Sequence, residues 1–211
     1  MARAAETGTA RNERSMNQDP PSIFDSREFN QNLFFPREDF SSTPAGTEDH
    51  FIAVEPGLKV HARRYPAPEA HLGLLYFHGN GEIVADYNDI AEFYAALGAE
   101  LTVCDYRGYG QSDGAPSLRT VLADAHIVFD YFRGKLKAPT VVMGRSLGSA
   151  PAIELCAQHP EIAALVLESG YADPIPLVER RGLVISHITA EESALFNNSQ
   201  KITHVTCPTF G

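Results

Sequence analysis

The pentapeptide Gly144-Arg145-Ser146-Leu147-Gly148 follows a short apolar run at residues 140–143 and precedes a stretch whose apolar residues have helical spacing. The order of strand, G-x-S-x-G and helix predicts a nucleophile elbow, a sharp turn that holds its central serine strained above a sheet. Bulky side chains two positions before and after Ser146 would collide, and Gly144 and Gly148 remove that collision. The first amides of a helix have no acceptor within the helix, so the amide of Leu147 is expected to bind an anion beside the serine hydroxyl.

A second loop follows the apolar run at residues 72–77 and contains His78-Gly79-Asn80-Gly81. A loop of this HG type supplies a backbone amide that completes an oxyanion hole, and Asn80 is the expected donor. We interpret Gly79 as a residue that shapes the loop and His78 as structural, because the loop needs amides rather than an imidazole. A phosphate-binding loop is not indicated, since neither G-x-x-x-x-G-K-[ST] nor G-x-G-x-x-G spacing is present.

Apolar runs of the same type recur along the chain. Short runs bounded by polar or glycine-rich loops are typical of strands buried on both faces of a parallel sheet. They lie at residues 72–77, 101–104, 140–143 and 162–167. Two further runs, residues 51–54 and 58–64, flank Glu55-Pro56-Gly57, which favours a tight turn and predicts an antiparallel hairpin.

Stretches with helical spacing alternate with these strands. Residues 83–97 and 118–132 show it, the second with Ser117 as its expected N-cap, and a third helix is expected from Ser146 to about residue 158. The alternation predicts an α/β fold, with a mostly parallel sheet and helices on both faces.

A third loop, residues 105–114, has the sequence DYRGYGQSDG and follows the run at residues 101–104. Together, HGNG, DYRGYGQSDG and GRSLG resemble the motifs of the α/β-hydrolase superfamily, in particular its serine-hydrolase branch of lipase-, esterase- and aminopeptidase-like proteins. The resemblance extends from about His50 to the end, and the order and spacing of the motifs make it specific at superfamily level. It implies that Asp105 and Arg107 belong to a structural brace below the active site.

The resemblance also implies acyl transfer. Ser146 would attack an ester, thioester or amide carbonyl of a small-molecule or acylated substrate, the amides of Asn80 and Leu147 would hold the oxyanion, and water would cleave the acyl-enzyme. A serine nucleophile disfavours dehalogenase and epoxide-hydrolase chemistry, which use a carboxylate. The sequence shows no metal-binding constellation and no cofactor loop, so we expect neither a metal nor a cofactor.

The sequence departs from the family after the serine motif. The family order is Ser, then an acid after a later strand, then His near the carboxyl end. Residues 204–211 resemble the start of the strand that leads to the acid, so we expect a truncated hydrolase domain that lacks its last strands and has little or no activity. None of the histidines after Ser146 occupies the family's position, and each is expected to be structural or solvent-facing: His159, His187 and His204.

Two interpretations of the function remain open. Glu168 and Asp173 come near the end of the run at residues 162–167, where some hydrolases place their acid, and Asp173 is a candidate substitute acid. The first interpretation is a serine hydrolase represented by a truncated chain. The second is a non-catalytic pseudohydrolase that binds a ligand or partner in the pocket that is the active site in catalytic members of the family.

Composition limits the other classes of function. At 211 residues, with 44% hydrophobic and 21% charged residues, the chain is typical of one main globular domain. A net charge of -10 argues against a nucleic-acid partner. The cysteines lie far apart and indicate no disulfide framework or metal pair: Cys104, Cys156 and Cys207. With no run of about 18 apolar residues and no secretory signal, we expect a cytoplasmic protein without an integral membrane segment, and no oligomeric state is indicated.

The domain organisation follows from a change of pattern near residue 46. Residues 1–46 lack a sustained hydrophobic period and form an amino-terminal extension, residues 47–211 form the hydrolase domain, and residues 171–200 are a possible small cap. Met16 is a second candidate for the natural start, beside Met1. Five aromatic rings favour an extension packed as a strap across the domain, with a membrane-surface contact or disorder as alternatives: Phe24, Phe29, Phe34, Phe35 and Phe40.

Overall fold

The computed structural model describes residues 22–185 and 187–211, so the choice between Met1 and Met16 as the start lies outside the described residues. These residues form one seven-stranded sheet with the strand order β1-β2-β4-β3-β5-β6-β7. The strands are β1 (Glu48–Glu55), β2 (Leu58–Tyr65), β3 (Leu72–Phe77), β4 (Ala99–Cys104), β5 (Thr140–Arg145), β6 (Ala164–Glu168) and β7 (Thr209–Phe210).

The sheet is antiparallel at one edge and parallel elsewhere. β1 and β2 form the predicted hairpin, and β2 also pairs antiparallel with β4. From β4 onward in the strand order, every neighbouring pair is parallel. The sheet ends with the short β7 beside β6. The mostly parallel sheet expected from the apolar runs is therefore confirmed.

Seven α-helices surround the sheet in the part of the chain that the structure describes. They are α1 (Arg27–Leu33), α2 (Ala91–Ala96), α3 (Leu118–Phe132), α4 (Ser149–Gln158), α5 (Ile175–Glu179), α6 (Ala190–Phe196) and α7 (Asn198–Lys201). Among these described residues, every helix is too short or too polar to span a lipid bilayer.

The two faces of the sheet bury different cores. Because side chains alternate along a strand, Leu75 and Phe77 of β3 point to one face and Leu74 and Tyr76 to the other. The first pair packs in one cluster with buried residues of α3 and α4. The second pair packs in a smaller cluster that includes Ala91 of α2. Helices therefore lie on both faces, as predicted.

The helix predictions were right for α3 and wrong for residues 83–97. α3 has the predicted bounds, and the hydroxyl of Ser117 accepts a hydrogen bond from the amide of Thr120 at 3.1 Å, as an N-cap does. Residues 83–97 instead form a 3-10 turn, Val84–Tyr87, and the separate α2. The side chain of Asn88 lies between the two pieces and accepts hydrogen bonds from Arg63 and Tyr65 of β2, so long-range contacts override the helical spacing there.

The described part of the extension, residues 22–46, is called the strap below. Ser26 caps its helix α1 by accepting a hydrogen bond from the amide of Phe29 at 3.1 Å. The ring of Phe24 packs on that of Phe196, with 4.2 Å between centroids. Three of the five phenylalanines are buried in the main core, Phe24, Phe29 and Phe34, whereas two are exposed, Phe35 and Phe40.

Residues 171–200 share the core of the domain. Three of its residues are buried in the same cluster as residues of α3 and α4: Val178 of α5, Leu183 after α5 and Phe196 of α6. At the end of α7, the ammonium group of Lys201 pairs with the carboxylate of Glu154 on α4. The function of this segment as a cap and the domain boundary at residue 46 stay predictions.

Candidate active site

The backbone turns sharply at Ser146, between β5 and α4. Ser146 has a φ of 49°, a left-handed conformation that is uncommon for a residue with a side chain, and it is exposed. A single 3-10 turn, Ser146–Gly148, leads directly into α4. The predicted third helix therefore begins as a 3-10 turn and becomes α-helical at Ser149.

The glycines on either side of Ser146 are required by close backbone contacts. A Cβ atom on Gly148 would clash with the carbonyl of Phe77, and one on Gly144 would clash with the backbone of Gly148 and with Ala152. The conformation of Gly148 itself is ordinary, with a φ of -65°. The glycines are thus needed for space, which is the reason that the sequence pattern suggested.

The loop after β3 lies beside this turn. β3 and β5 pair in parallel with Phe77 opposite Gly144, so the residues that follow each strand meet at the same edge of the sheet. There, His78 is fully buried, with its Nδ1 2.9 Å from the carbonyl oxygen of Gly79 and its Nε2 3.2 Å from Asp105. These contacts hold the imidazole below the loop.

The side chain of Asn80 is bound to the strap. Its Oδ1 accepts hydrogen bonds from the amide of Phe35 at 2.9 Å and from the hydroxyl of Tyr109 at 2.6 Å. Its Nδ2 donates to the carbonyl oxygen of Leu33 at 2.5 Å. Within the part of the chain that the structure describes, the backbone amide of Asn80 has no protein acceptor. The side chain is therefore occupied while the amide stays available.

Glu82 joins this loop to the residue before Ser146. Its carboxylate accepts hydrogen bonds from the amide of Gly79 and the hydroxyl of Tyr87, both at 2.8 Å. The same carboxylate pairs with the guanidinium of Arg145, which also donates to Glu168 at 3.1 Å. One carboxylate thus contacts both loops that meet at the sheet edge.

A buried ionic cluster lies beneath the loop. Asp105 accepts from the amide of Val84 and contacts both His61 and His78 at 3.0–3.2 Å. Burial alone would raise the pKa of Asp105, but hydrogen bonds from His61 and His78 outweigh it and hold the pKa below its ordinary value. Burial would lower the pKa of His61, but its contacts with Asp105 and Asp49 raise it. The cluster is stable only if its charges stay paired.

Arg107, which like Asp105 lies in the loop after β4, forms a second buried ion pair. Its guanidinium donates two hydrogen bonds of 2.7 Å to the carboxylate of Asp124 on α3 and one of 2.7 Å to Glu55. These bonds, with Asp124 the largest contributor, raise the pKa of Arg107. Asp105 and Arg107 tie the loop after β4 to β1, β2 and α3.

Comparison with known proteins identifies the superfamily of the chain. A family model described as serine aminopeptidase, S33, matches residues 68–200, which is more than half of the chain. The chain belongs to the α/β-hydrolase superfamily. The protein bem46 of Schizosaccharomyces pombe is 37% identical to this α/β-hydrolase over 134 residues, which are 59% of this chain and 45% of that protein. Lysophosphatidylserine lipase ABHD12 of Macaca fascicularis is 30% identical and matches 66% of this chain and 40% of its own length.

The chain thus spans less than half the length of these relatives. Among solved structures, the Pyrococcus furiosus esterase Pf2001 superposes with a TM-score of 0.62 at 20% identity, over 84% of this chain and 76% of its own. Acetyl xylan esterase 1 of Thermoanaerobacterium superposes with a TM-score of 0.61 at 17% identity, over 90% and 77%. At such identities the structures show that this α/β-hydrolase shares their fold.

The candidate acid and base residues of the hydrolase lie in different places. The carboxylate of Asp173 accepts a hydrogen bond from the amide of Ile175 at 2.9 Å, at the start of α5. His159 follows the carboxyl end of α4, about 15 Å along the helix from the turn at Ser146. His187 and His204 are exposed. Among the described residues, no histidine ring hydrogen-bonds to Ser146 or Asp173.

Sequence reasoning missed a second strained serine in the hydrolase. Ser169 has a φ of 52° and is exposed. β5 and β6 pair in parallel with Arg145 opposite Glu168, so Ser146 and Ser169 follow neighbouring strands at the same edge. No motif marks Ser169, although its position one residue after the apolar run at 162–167 and directly before Gly170 is the pattern that could have indicated it.

Proposed function

We propose that this α/β-hydrolase cleaves carboxylic esters through an acyl-enzyme on Ser146. The observation that carries the proposal is the backbone of Ser146, which is left-handed and exposed at the turn between β5 and α4. Such strain costs free energy and is kept mainly at functional sites. An ester is the proposed substrate class because a relative that is 30% identical is named a lipase.

In the proposed reaction, Ser146 Oγ attacks the carbonyl carbon, and the carbonyl oxygen becomes an oxyanion. The amides of Asn80 and Leu147 donate hydrogen bonds to this oxyanion, since the first is without a protein acceptor in the described structure and the second lies in the first turn after Ser146. Each such donor contributes about 10²–10³-fold in rate in enzymes of this type. The proton of the Ser146 hydroxyl passes to solvent, the bond between the carbonyl carbon and the alcohol oxygen breaks, and the alcohol leaves after taking a proton from solvent. Water then hydrolyses the acyl-enzyme to the carboxylic acid and free Ser146.

One observation favours a second candidate function. Among the described residues, no imidazole hydrogen-bonds to Ser146, and without a general base a serine hydroxyl is a weak nucleophile. The alternative is a pseudohydrolase that binds an acyl compound at the same sheet edge and does not turn it over. The two candidates differ in whether Ser146 forms a covalent bond.

Covalent labelling with a fluorophosphonate tests the proposal. We expect the unaltered chain to gain the mass of one phosphonyl group on the peptide that contains Ser146, and Ser146→Ala to gain none. Ser169→Ala is the matched control, because it removes a neighbouring exposed serine with a similar φ, and it should still be labelled.

Labelling of Ser169, or equal labelling of Ser146→Ala, would contradict the assignment of the nucleophile. If no form of the chain is labelled but a free carboxylic acid, which cannot acylate Ser146, still binds reversibly, the acyl-enzyme is excluded and the binding function is supported.

A further inference from the structure

The strap contacts the oxyanion loop, residues 78–82, at several points. Besides its bonds to Asn80, it places the guanidinium of Arg37 2.9 Å from the carbonyl oxygen of Gly81. It also runs beside Gly110, whose amide donates to Arg37 and whose carbonyl accepts from Asp39, both at 2.9 Å. The strap is therefore bonded to both loops that border His78.

The strap has an anchor that is independent of the loop. Phe24 and Phe29 are buried in the main core, and Asp25 pairs with Arg119 of α3 at 3.0 Å. Since Asp25 has its partner on α3 and Phe24 packs on Phe196 of α6, both outside residues 78–82, movement of the loop alone does not release these contacts. A fixed strap can hold the loop in one orientation.

The loop needs such an external restraint. Asn80 lies between Gly79 and Gly81, and Gly81 has a φ of 80°. Glycines rotate easily in both directions, so the peptide that carries the Asn80 amide has little intrinsic preference for one orientation. The direction of that amide depends on the bonds that hold the residue.

Tyr109 completes the contact between the strap and Asn80. Its hydroxyl donates to Asn80 Oδ1 and accepts from the amide of Phe35 at 3.0 Å. Its ring is fully buried and packs edge-on against Tyr106. Burial raises the pKa of Tyr109, which keeps the hydroxyl protonated as a donor. Phe35, Tyr109 and Asn80 thus form a closed triangle of hydrogen bonds.

We propose that the strap positions the oxyanion-binding amide, with the side chains of Asn80 and Tyr109 as the latch between strap and loop. This inference rests on the proposed function, because it gives the Asn80 amide its role. Asn80 then acts twice: its backbone binds the oxyanion, and its side chain fixes the direction of that backbone. Tyr109 is a positioning residue, since it acts through Asn80.

Two substitutions break the latch without removing the amide. Tyr109→Phe keeps the buried ring and deletes only the hydroxyl, and Asn80→Ala keeps the backbone N–H. Tyr131→Phe is the matched control, because it deletes a hydroxyl that lies 3.1 Å from His50, on the hairpin side of α3. Each form of the full chain is compared by hydrogen–deuterium exchange and by its rate of fluorophosphonate labelling.

In both latch variants, we expect faster exchange in the segments at residues 33–38 and 77–84, with no change in β5. We expect the labelling rate of Ser146 to fall about tenfold, less than the ~10²–10³-fold loss of a complete oxyanion donor. With an ester substrate, kcat should fall while KM is unchanged, because the amide acts in the transition state. Tyr131→Phe should match the parent in all these measurements.

Unchanged exchange at residues 77–84 in both latch variants would overturn the inference. Faster exchange with an unchanged labelling rate would also overturn it, because the strap would then stabilise the loop without positioning the amide. If Ser146 takes no label even in the parent chain, the proposed function fails. In that case, the exchange of the two segments alone decides whether the strap holds the loop.

Discussion

The turn at Ser146 and the oxyanion loop meet at one sheet edge, yet they are held in different ways. The turn is held by close steric contacts, because a side chain at Gly144 would clash with the backbone of Gly148, and one at Gly148 would clash with the carbonyl of Phe77 on β3. The loop contains two glycines and is held by groups distant in sequence, such as Tyr109 and the amide of Phe35. The first region is determined by close steric contacts, and the second depends on tertiary hydrogen bonds.

The largest expected effect comes from a substitution that disrupts the turn at Ser146. Gly148→Ala should destabilise the protein by about 3 kcal/mol and abolish labelling of Ser146, because its Cβ would clash with the carbonyl of Phe77. The control is Gly134→Ala, where φ is 78° and no atom lies within 4 Å of the added Cβ. There we expect only the ~1–2 kcal/mol cost of a left-handed conformation and unchanged labelling. Urea unfolding measures both, and equal losses would show that the space at Gly148 is not decisive.

This contrast explains how much could be predicted from the sequence. The strands, α3 with its Ser117 cap and the α/β class were predicted, because each depends on a local hydrophobic pattern or a local hydrogen bond. The break in the helix predicted at residues 83–97 was missed because it depends on hydrogen bonds that Asn88 accepts from two residues of β2. The role of the Asn80 side chain was missed for the same reason, since its partners lie 29, 45 and 47 positions away.

The candidate site divides in the same way. Ser146 and the two glycines form a motif that the sequence displays, and their assignment to catalysis stays a prediction until labelling tests it. The contact of Glu82 with Arg145 and the position of Ser169 at the same edge as Ser146 arise from the pairing of β3, β5 and β6. Such pairings join residues that no local pattern connects.

An intermediate effect on the free energy of unfolding comes from the buried ionic cluster beneath the oxyanion loop. His61 has a raised pKa because Asp105 and Asp49 favour its charged form, although burial opposes this. A raised pKa contributes stability that is complete below the unfolded value of about 6.5 and is lost as pH rises through the folded value. Arg63, which donates to Asp49 at 2.6 Å, keeps its charge throughout this window.

We therefore expect the free energy of unfolding to decline as pH rises above about 6.5, and His61→Gln to flatten that decline. Asp105 acts at the other end, because its lowered pKa gives stability that is lost as pH falls below about 3.9. Urea unfolding between pH 3 and pH 9 is the measurement. A parent chain as pH-dependent as His61→Gln would show that the cluster does not supply this charge pairing.

The smallest expected effect comes from a substitution outside both the turn and the oxyanion loop. Ser117→Ala removes the acceptor of the Thr120 amide at the start of α3, and the loss of an N-cap costs about 1 kcal/mol. α3 packs against the sheet but contributes no residue to the turn or to the loop, so the labelling rate of Ser146 should not change. Urea unfolding and labelling of the same sample separate the two quantities. If the labelling rate fell together with stability, the reactivity of Ser146 would follow global stability, and the distinction between a turn held by steric contacts and a loop held by tertiary hydrogen bonds would be lost.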